Sequence, residues 1–103
     1  MKPTCKTYPD GVKKWWLNGK LHKEWYLNNK LHREDGPAIE WPNGYKEWYL
    51  NGKLHRESGP AVETANGTKA WWLNGIEYSE LDFYRQLYKL GKITKEELFI
   101  KLI

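Results

Sequence analysis

Short runs of alternating apolar and polar residues, each ended by a turn dipeptide, fill most of the chain as far as residue 78. Asn-Gly or Asn-Asn stands at 18–19, 28–29, 51–52 and 74–75, between aromatic-rich runs. Such a dipeptide is the strongest short-range signal for a β-hairpin, because a type I′ turn needs positive φ at both central residues. The pattern therefore predicts a series of antiparallel hairpins.

The hairpins belong to a sequence repeat of 23 residues. Residues 24–46 align with residues 47–69 without a gap, and 17 of the 23 positions are identical. The opening unit is a copy shortened by 13 residues, because its turn at Asn18-Gly19 precedes the next turn by only ten residues. Repetition of one supersecondary unit predicts a ribbon-like sheet that grows by adding copies.

The turn at Asn51-Gly52, taken as a two-residue loop, fixes the register of its hairpin. In that register two oppositely charged pairs face each other, which supports the prediction. The predicted cross-strand pairs are Leu50–Lys53, Tyr49–Leu54, Trp48–His55, Glu47–Arg56 and Lys46–Glu57, with Trp25–His32 and Glu24–Arg33 in the preceding unit.

Residues 20–27 are predicted to form one strand that is shared by two hairpins. His22 and Trp25 occupy equivalent faces of their own hairpins, yet an odd number of residues separates them along the strand. A flat strand would place them on opposite faces. A bulge or sharp bend near Lys23-Glu24 is favoured, and a first hairpin flipped relative to the others is the alternative.

The pattern changes to a helical period at Ser79, which is predicted to cap a helix with Asp82 three residues on. Apolar residues recur at helical spacing at Leu81, Tyr84, Leu87 and Tyr88, and Gly91 is a natural stop. "TKEE" at 94–97 is a capping box that predicts a second helix. The alternation in "ELFIKLI" leaves a strand open as the alternative for residues 95–103.

These elements predict one compact, mainly β domain: an antiparallel meander of repeated β-hairpins with two short C-terminal helices. Residues 1–9 are assigned to an N-terminal lead-in, residues 10–78 to the hairpin repeats, and residues 79–103 to the helical segment.

The unit "NGYKEWYLNGKLHRESGPAVETA" at 43–65 resembles the MORN family and, more closely, MORN-like variants of bacterial and phage proteins. The shared features are the repeat length, the aromatic pair before Asn-Gly and the glycine turns, and the resemblance covers about residues 10–78. It implies an elongated sheet of stacked hairpins that serves as a protein-interaction scaffold, in some members with phospholipid binding. "LHREDGPA" and "LHRESGPA" stand here in place of the standard Gly-x-Gly element, which argues against carrying lipid binding over.

Composition limits the classes of protein. The chain of 103 residues is long enough for one domain, and a single cysteine, Cys5, excludes an internal disulfide framework. The sequence shows neither a secretory signal nor an apolar stretch long enough to span a bilayer, so cytoplasmic location is expected, in a host cell if a phage encodes the protein.

Positive charge concentrates at the N-terminal end. Residues 1–34 carry eight Lys or Arg and three Asp or Glu, residues 35–78 carry four and six, and residues 79–103 carry five and four. Attraction for an anionic surface is therefore expected mainly in the first hairpins.

Three sets of residues are candidates for binding. Aromatic and basic side chains of the first hairpins form the predicted partner surface: Lys13, Lys14, Trp15, Trp16, Lys20, Lys23, Trp25, Lys30 and Arg33. Candidate anion contacts are His32, Arg33, His55 and Arg56, and candidate self-association residues are Leu98, Phe99, Leu102 and Ile103. His22, His32 and His55 occupy one position of the repeat, but ligand-spacing signatures are missing, so neither a metal nor a cofactor is predicted.

Catalytic motifs are also missing from the sequence, and replicated residues along a ribbon suit additive binding better than one asymmetric active site. The predicted function is non-enzymatic binding of a protein partner, in the manner of a small phage inhibitor of a host defence protein, by a monomer or homodimer. One alternative is a binder of anionic small molecules, nucleotides or single-stranded nucleic acid, with bases stacked on the tryptophans. A membrane-surface or structural scaffold is the other alternative.

Overall fold

A computed structural model describes residues 4–9, 11–17 and 20–103 of the chain. The strands are β1 (Thr4–Thr7), β2 (Val12–Leu17), β3 (Lys20–Leu27), β4 (Lys30–Leu31), β5 (Ile39–Glu40), β6 (Lys46–Glu47), β7 (Tyr49–Leu50), β8 (Lys53–Leu54), β9 (Val62–Glu63), β10 (Lys69–Leu73) and β11 (Ile76–Tyr78). Two helices follow, α1 (Glu80–Lys89) and α2 (Lys95–Leu102). The prediction of a mainly β fold with two C-terminal helices is confirmed.

The main sheet is antiparallel, with strand order β1-β2-β3-β5-β6-β9-β10-β11. The principal extents of the whole chain are 50 × 31 × 18 Å, and its radius of gyration is 15.7 Å. A compact domain of this length would have a radius of gyration of about 13 Å. The molecule is therefore a ribbon, and each strand contacts mainly its neighbours.

Both central residues of three two-residue turns have positive φ, as type I′ geometry requires. The angles are 51° and 63° at Asn28-Asn29, 51° and 79° at Asn51-Gly52, and 50° and 79° at Asn74-Gly75. The hairpins predicted from these dipeptides are confirmed. The predicted turn at Asn18-Gly19 lies outside the described residues.

Strand β3 is straight where a bulge was predicted. Its register with β2 runs one for one from Val12↔Trp25 to Leu17↔Lys20, and Lys23 and Glu24 pair equally regularly with β5. The predicted bulge at Lys23-Glu24 is wrong. Because side chains alternate along a strand, His22 lies on the face opposite to Trp25, so the first hairpin is flipped relative to the later ones.

The hairpin of β7 and β8 is a separate two-stranded sheet, and its strand register extends over two residue pairs. Glu47 lies between Ile39 and Val62 in the main sheet, so the predicted Glu47–Arg56 pair is wrong. The predicted Lys46–Glu57 and Glu24–Arg33 pairs are wrong for the same reason. Lys46 lies between Glu40 and Glu63 in the sheet. Glu24 lies between Lys13 and Ile39. The chain departs just beyond His55, whose N–H still donates to the Trp48 carbonyl at 3.0 Å, as the register predicted.

The hairpins 26–31, 49–54 and 72–77 stand side by side and form a hairpin row. The Gly52 N–H donates to the Leu31 carbonyl, and the Gly75 N–H donates to the Leu54 carbonyl, both at 2.8 Å. The N–H groups of Arg33 and Arg56 donate to the carbonyls of Tyr49 and Trp72, at 3.1 and 3.2 Å. Each repeat therefore bonds to the next through both the main sheet and the hairpin row.

A second kind of turn connects the strands of the main sheet. In the turn at residues 8–12 the Tyr8 N–H donates to the Val12 carbonyl, and the Gly11 N–H donates to the Tyr8 carbonyl. The turns at 41–45 and 64–68 have the same bonds, and all three have a glycine at φ between 89° and 97°. The first repeat therefore begins at Tyr8, and the segment predicted as a lead-in contributes β1 to one edge of the sheet.

The two helices begin and end as their capping residues predict. The Ser79 hydroxyl accepts from the Asp82 N–H at 3.1 Å, and Gly91, at φ 73°, closes α1 in a Schellman motif. Thr94 and Glu97 form a reciprocal capping box on α2, so residues 95–102 are helix and not strand. Within the described residues, none of the helices is long and apolar enough to cross a membrane.

The largest apolar cluster lies where α1 packs on β10. Leu73, Phe83 and Leu87 are buried there, with Trp71 and Tyr84 half-buried against them. The helical spacing in the sequence pointed to Leu81 and Tyr88 as well, but both are about two-fifths exposed. The buried residues of α1 are Phe83 and Leu87, and of these the sequence spacing predicted only Leu87.

Candidate binding surface

The strand register places one charged residue from each of seven strands in a single line across the sheet. Going from β1 to β10, this line contains Lys6, Lys14, Lys23, Glu40, Lys46, Glu63 and Lys69. We call this side of the sheet the first face and the opposite side, which carries Lys13 and Glu24, the second face.

The two halves of this line differ in charge pattern. From Glu40 onward the signs alternate, so that each lysine stands opposite a glutamate on a neighbouring strand. Lys6, Lys14 and Lys23 form a row of like charges, which we call the lysine row, and only Lys23 borders a carboxylate-bearing position. Like charges directly opposite one another are destabilising. The lysine row is therefore a surface where an external anion would lower the energy of the sheet.

Tyr8 lies beneath the outer part of the lysine row. The Nζ atoms of Lys6 and Lys14 are 5.4 and 4.9 Å from its ring centroid. Within the described residues, neither ammonium is within 4 Å of a carboxylate, since the ion pairs there involve other cations. A tyrosine face attracts a cation weakly, so both lysines keep the capacity to bind an anion.

The predicted contact residue Trp25 is covered by an arginine. The Arg33 guanidinium carbon is 3.9 Å from the centroid of its ring, and Arg33 also donates to the Pro37 carbonyl at 3.1 Å. Carboxylates of Asp35 and Glu40 approach the same guanidinium at 3.0 and 3.5 Å. The ring is therefore an internal packing surface of the repeat and not an open stacking platform.

The next repeat has the same arrangement. The Arg56 guanidinium lies 3.8 Å from the Trp48 ring centroid, donates to the Pro60 carbonyl at 3.0 Å and approaches Glu63 at 3.3 Å. A Cβ atom at Gly59 would lie only 3.1 Å from the guanidinium carbon, so the absence of a side chain allows this packing. In the third repeat Phe83 and Tyr84 of α1 take the arginine's place on Trp71, at 5.0 and 5.6 Å.

The histidines of the second and third hairpins connect neighbouring turns. The Nδ1 atoms of His32 and His55 accept from the N–H groups of Asn51 and Asn74, both at 2.9 Å. Because Nδ1 accepts, the proton of each neutral ring is on Nε2, which in His55 lies 3.1 Å from Glu57. These rings are structural links between repeats. In the described part of the chain, groups of three or more His, Cys, Asp or Glu that could hold a metal ion are not found.

We expect His55→Leu to lower the free energy of unfolding by about 1 kcal/mol, because the Asn74 N–H loses its acceptor. The matched control is His55→Asn. The asparagine side-chain oxygen is the same number of bonds from Cβ as the histidine Nδ1 that accepts from the Asn74 N–H. Urea unfolding measures both variants, and hydrogen exchange of the Asn74 amide localises the effect. Equal losses for the two variants would contradict the proposed link.

His22 differs from the other two histidines. It lies on the second face, stacked on Trp41 with ring centroids 3.8 Å apart. Its Nε2 atom is 3.4 Å from the Glu24 carboxylate but makes no hydrogen bond with it. Burial lowers the pKa of His22 below its usual 6.5, and the nearby Glu24 charge opposes this only in part. The three histidines, equivalent in the sequence repeat, are therefore not equivalent in the structure.

The lowered pKa of His22 predicts that its contribution to stability falls in mild acid. Between its folded and unfolded pKa values the unfolded state binds more protons, so the free energy of unfolding decreases as the pH drops below 6.5. We expect His22→Gln to lose less stability than the wild type between pH 7 and pH 5. Unfolding curves at both pH values test this, and an equal pH response of the two proteins would contradict it.

Glu24 organises the second face of the first repeats. Its carboxylate accepts from Trp15 Nε1 at 2.9 Å and from the Tyr26 hydroxyl at 3.0 Å, while the Lys13 Nζ lies 4.4 Å from the Tyr26 ring centroid. Burial and this carboxylate raise the pKa of Tyr26 to about 12. The predicted contacts Trp15 and Lys13 are thus partly engaged inside the sheet.

The same tyrosine–glutamate pair recurs in the next repeat and is lost in the third. The Tyr49 hydroxyl donates to Glu47 at 3.0 Å, and burial raises the Tyr49 pKa well above its usual value. In the third repeat Ala70 and Trp72 occupy these positions, and the buried Trp72 Nε1 has no hydrogen-bond partner among the described residues.

A groove of about 640 Å³ separates the loops that follow His32 and His55. Its lining includes three of the predicted anion contacts, Arg33, His55 and Arg56, whereas the fourth, His32, is not part of it. Glu34, Asp35 and Glu57 line the same groove. Because the two signs are mixed and both arginines already have carboxylate partners, this groove is a weaker anion site than the lysine row.

The remaining predicted contacts are spread over the molecule. Trp16 is half-buried, and Lys30 is exposed in the hairpin row beside Gly52. The side chain of Lys20 lies outside the described part of the chain. Lys6 and Tyr8 were missed, although "YPDG" at 8–11 matches "WPNG" at 41–44 and could have extended the repeat to them.

The predicted self-association residues lie on α2. Phe99, Leu102 and Ile103 are exposed, and Leu98 is half-buried. Helix α2 has no buried residue and is attached to α1, with the Lys101 Nζ 5.2 Å from the Tyr84 ring centroid.

Comparison of the chain with protein-family models, with curated proteins and with solved structures gave no match.

Proposed function

We propose that the chain is a non-enzymatic binding module that attaches to an acidic surface of a protein partner through the first face of its N-terminal strands. The lysine row carries the proposal: Lys6, Lys14 and Lys23 stand in register, while every later lysine of the same line has a glutamate opposite. In the narrower form, by analogy with small phage inhibitors, the partner is a host defence protein in the bacterial cytoplasm, and binding inhibits it.

The environment of the aromatic rings favours a protein partner over a nucleic acid. Single-stranded nucleic acids bind by stacking bases on exposed aromatic faces beside basic groups. Guanidinium groups of Arg33 and Arg56 cover the rings of Trp25 and Trp48, and His22 is stacked on Trp41. The rings of Tyr8 and Trp16, which share the first face with Lys14, are half-buried and offer a base less stacking area than an exposed ring would. The lysine row therefore suits acidic side chains better than bases.

The structural engagement of the polar groups supports a non-enzymatic role. Arg33, Arg56, His32 and His55 hold loops and turns, and Glu24 accepts from Trp15 and Tyr26. These contacts give each group a role in holding the fold, which supports a structural use of these side chains.

The test is affinity capture from a nuclease-treated bacterial lysate on the immobilised chain. Wild type is compared with Lys6,Lys14,Lys23→Gln and with Lys53,Lys69,Lys95→Gln, whose exposed lysines lie elsewhere and whose net charge is the same. We expect wild type and the Lys53,Lys69,Lys95→Gln control to retain one defined protein. We expect Lys6,Lys14,Lys23→Gln to retain at least tenfold less of that protein. Equal loss from both variants would overturn the proposed surface, and material that disappears with nuclease would favour the nucleic-acid alternative.

A further inference from the structure

Among the described residues, none pairs with the outer hydrogen-bonding edge of strand β1. Within the described residues β1 pairs only with β2, and all four of its side chains are exposed. The Tyr8 N–H donates to the Val12 carbonyl, so the alternation of an antiparallel ladder points the Lys6 amide toward β2. The same alternation points the amides of Cys5 and Thr7 outward, where an additional strand could pair with them.

An open edge is usually a risk of self-pairing, and lysine on an edge strand is a common protection against it. Two copies joined through β1 would bring the lysine rows of both into one sheet, next to an N-terminal region with a net charge of +5 over residues 1–34. A second copy is therefore a poor occupant of this edge.

A strand with acidic side chains is the complementary occupant. On the rest of the first face the charge line alternates from Glu40 to Lys69, one sign per strand. A new strand beside β1 would place one side chain directly opposite Lys6, in line with Lys14 and Lys23. A carboxylate at that position would continue the alternation and relieve the repulsion within the lysine row.

We propose that β1 binds an acidic, extended segment of a partner protein by β-strand addition, with backbone bonds to Cys5 and Thr7 and a carboxylate opposite Lys6. In this mode main-chain hydrogen bonds supply affinity, and alternate side chains supply specificity. The inference rests on the proposed function and adds how the partner is held. It also explains why the unpaired lysines lie at the open edge of the ribbon.

The experiment uses the full chain under reducing conditions and an eight-residue peptide that alternates glutamate with threonine or valine. We expect peptide binding to slow hydrogen exchange of the Cys5 and Thr7 amides at least tenfold, measured by NMR. Thr7→Pro should weaken binding at least tenfold, because proline removes the outward donor and leaves the bonds of β1 to β2 in place. The matched control is Glu77→Pro, at the corresponding outward position of edge strand β11, which should bind as wild type does.

Two control peptides separate the two parts of the inference. A peptide with glutamine in place of glutamate tests the charge requirement, and one of unchanged charge with prolines between the glutamates cannot add as a strand. Either peptide binding as tightly as the acidic one would overturn the inference, as would binding without protection of Cys5 and Thr7. Protection of these amides in concentrated protein alone would identify a second copy as the occupant and also overturn it.

Failure of this inference and failure of the proposed function give different results. If Thr7→Pro still captures the lysate protein that Lys6,Lys14,Lys23→Gln loses, the acidic-surface function stands and strand addition is wrong. If neither variant changes capture, the proposed function fails as well.

Discussion

Phe83→Ala is expected to lower the free energy of unfolding by about 3–5 kcal/mol, the usual cost of emptying a buried phenylalanine site. The Phe83 side chain is 0% exposed and belongs to the apolar cluster with Leu73 and Leu87. Its ring also contacts Trp71, which occupies the same repeat position as Trp25 and Trp48. A ribbon built from neighbour contacts depends on such a terminal cap, because its last repeat has no further copy to cover it.

Phe99→Ala is the matched control for this substitution, since it removes the same ring from a site that is 65% exposed. We expect it to change the free energy of unfolding by no more than about 0.5 kcal/mol. Urea unfolding followed by tryptophan fluorescence and circular dichroism measures both variants. Equal destabilisation by the two would mean that α1 does not cap the ribbon. Domains of this size are stable by about 5–15 kcal/mol, so the larger loss is a substantial fraction.

Local chemistry predicted the elements of this fold. Positive φ at Asn51 and Gly52 follows from the dipeptide itself, and the caps at Ser79 and Thr94 act within three residues of their helix starts. A prediction that depends on neighbouring residues alone succeeds because few other conformations satisfy the same turn or cap.

The partners of Arg33 and Arg56 could not be predicted in the same way. The two-residue turn fixed the hairpin register correctly for two pairs, but extending it assumed that the return strand stays in the sheet. The chain instead turns at Gly36-Pro37 and Gly59-Pro60, and each arginine folds back over the tryptophan of its own repeat. Where a strand ends depends on competition with the next repeat for the same hydrogen bonds.

To predict the lysine row from the sequence, one must know the order of three strands in the sheet, which no local pattern contains. Lys6, Lys14 and Lys23 lie on three consecutive strands and meet because β1, β2 and β3 pair in register. The sequence pointed to the basic N-terminal hairpins as a region, with Lys14 and Lys23 among the contacts. It missed Lys6, because the short, exposed β1 has no alternating apolar pattern that would mark it as a strand.

The second large effect is expected at Gly11, in the turn that joins β1 to β2. Its φ is 89°, and a Cβ atom there would overlap the Tyr26 carbonyl oxygen and lie 3.2 Å from the carbonyl carbon. Both obstacles are backbone atoms, which cannot move aside by a side-chain rotation. Gly11→Ala must therefore separate β2 from β3 where the Tyr26 N–H donates to the Gly11 carbonyl at 2.9 Å. We expect a loss of about 3 kcal/mol or more in the free energy of unfolding.

Gly67→Ala separates the steric effect at Gly11 from the cost of the backbone angle. Gly67 occupies the same position of the equivalent turn and has the same φ of 89°, but a Cβ atom there would meet nothing within 4 Å. Its replacement should cost only the left-handed backbone penalty, about 1–2 kcal/mol. Unfolding free energies of the two variants give the difference, and exchange of the Tyr26 amide should accelerate in Gly11→Ala alone. If both variants lose the same stability, the close approach of Gly11 to β3 does not contribute to the fold.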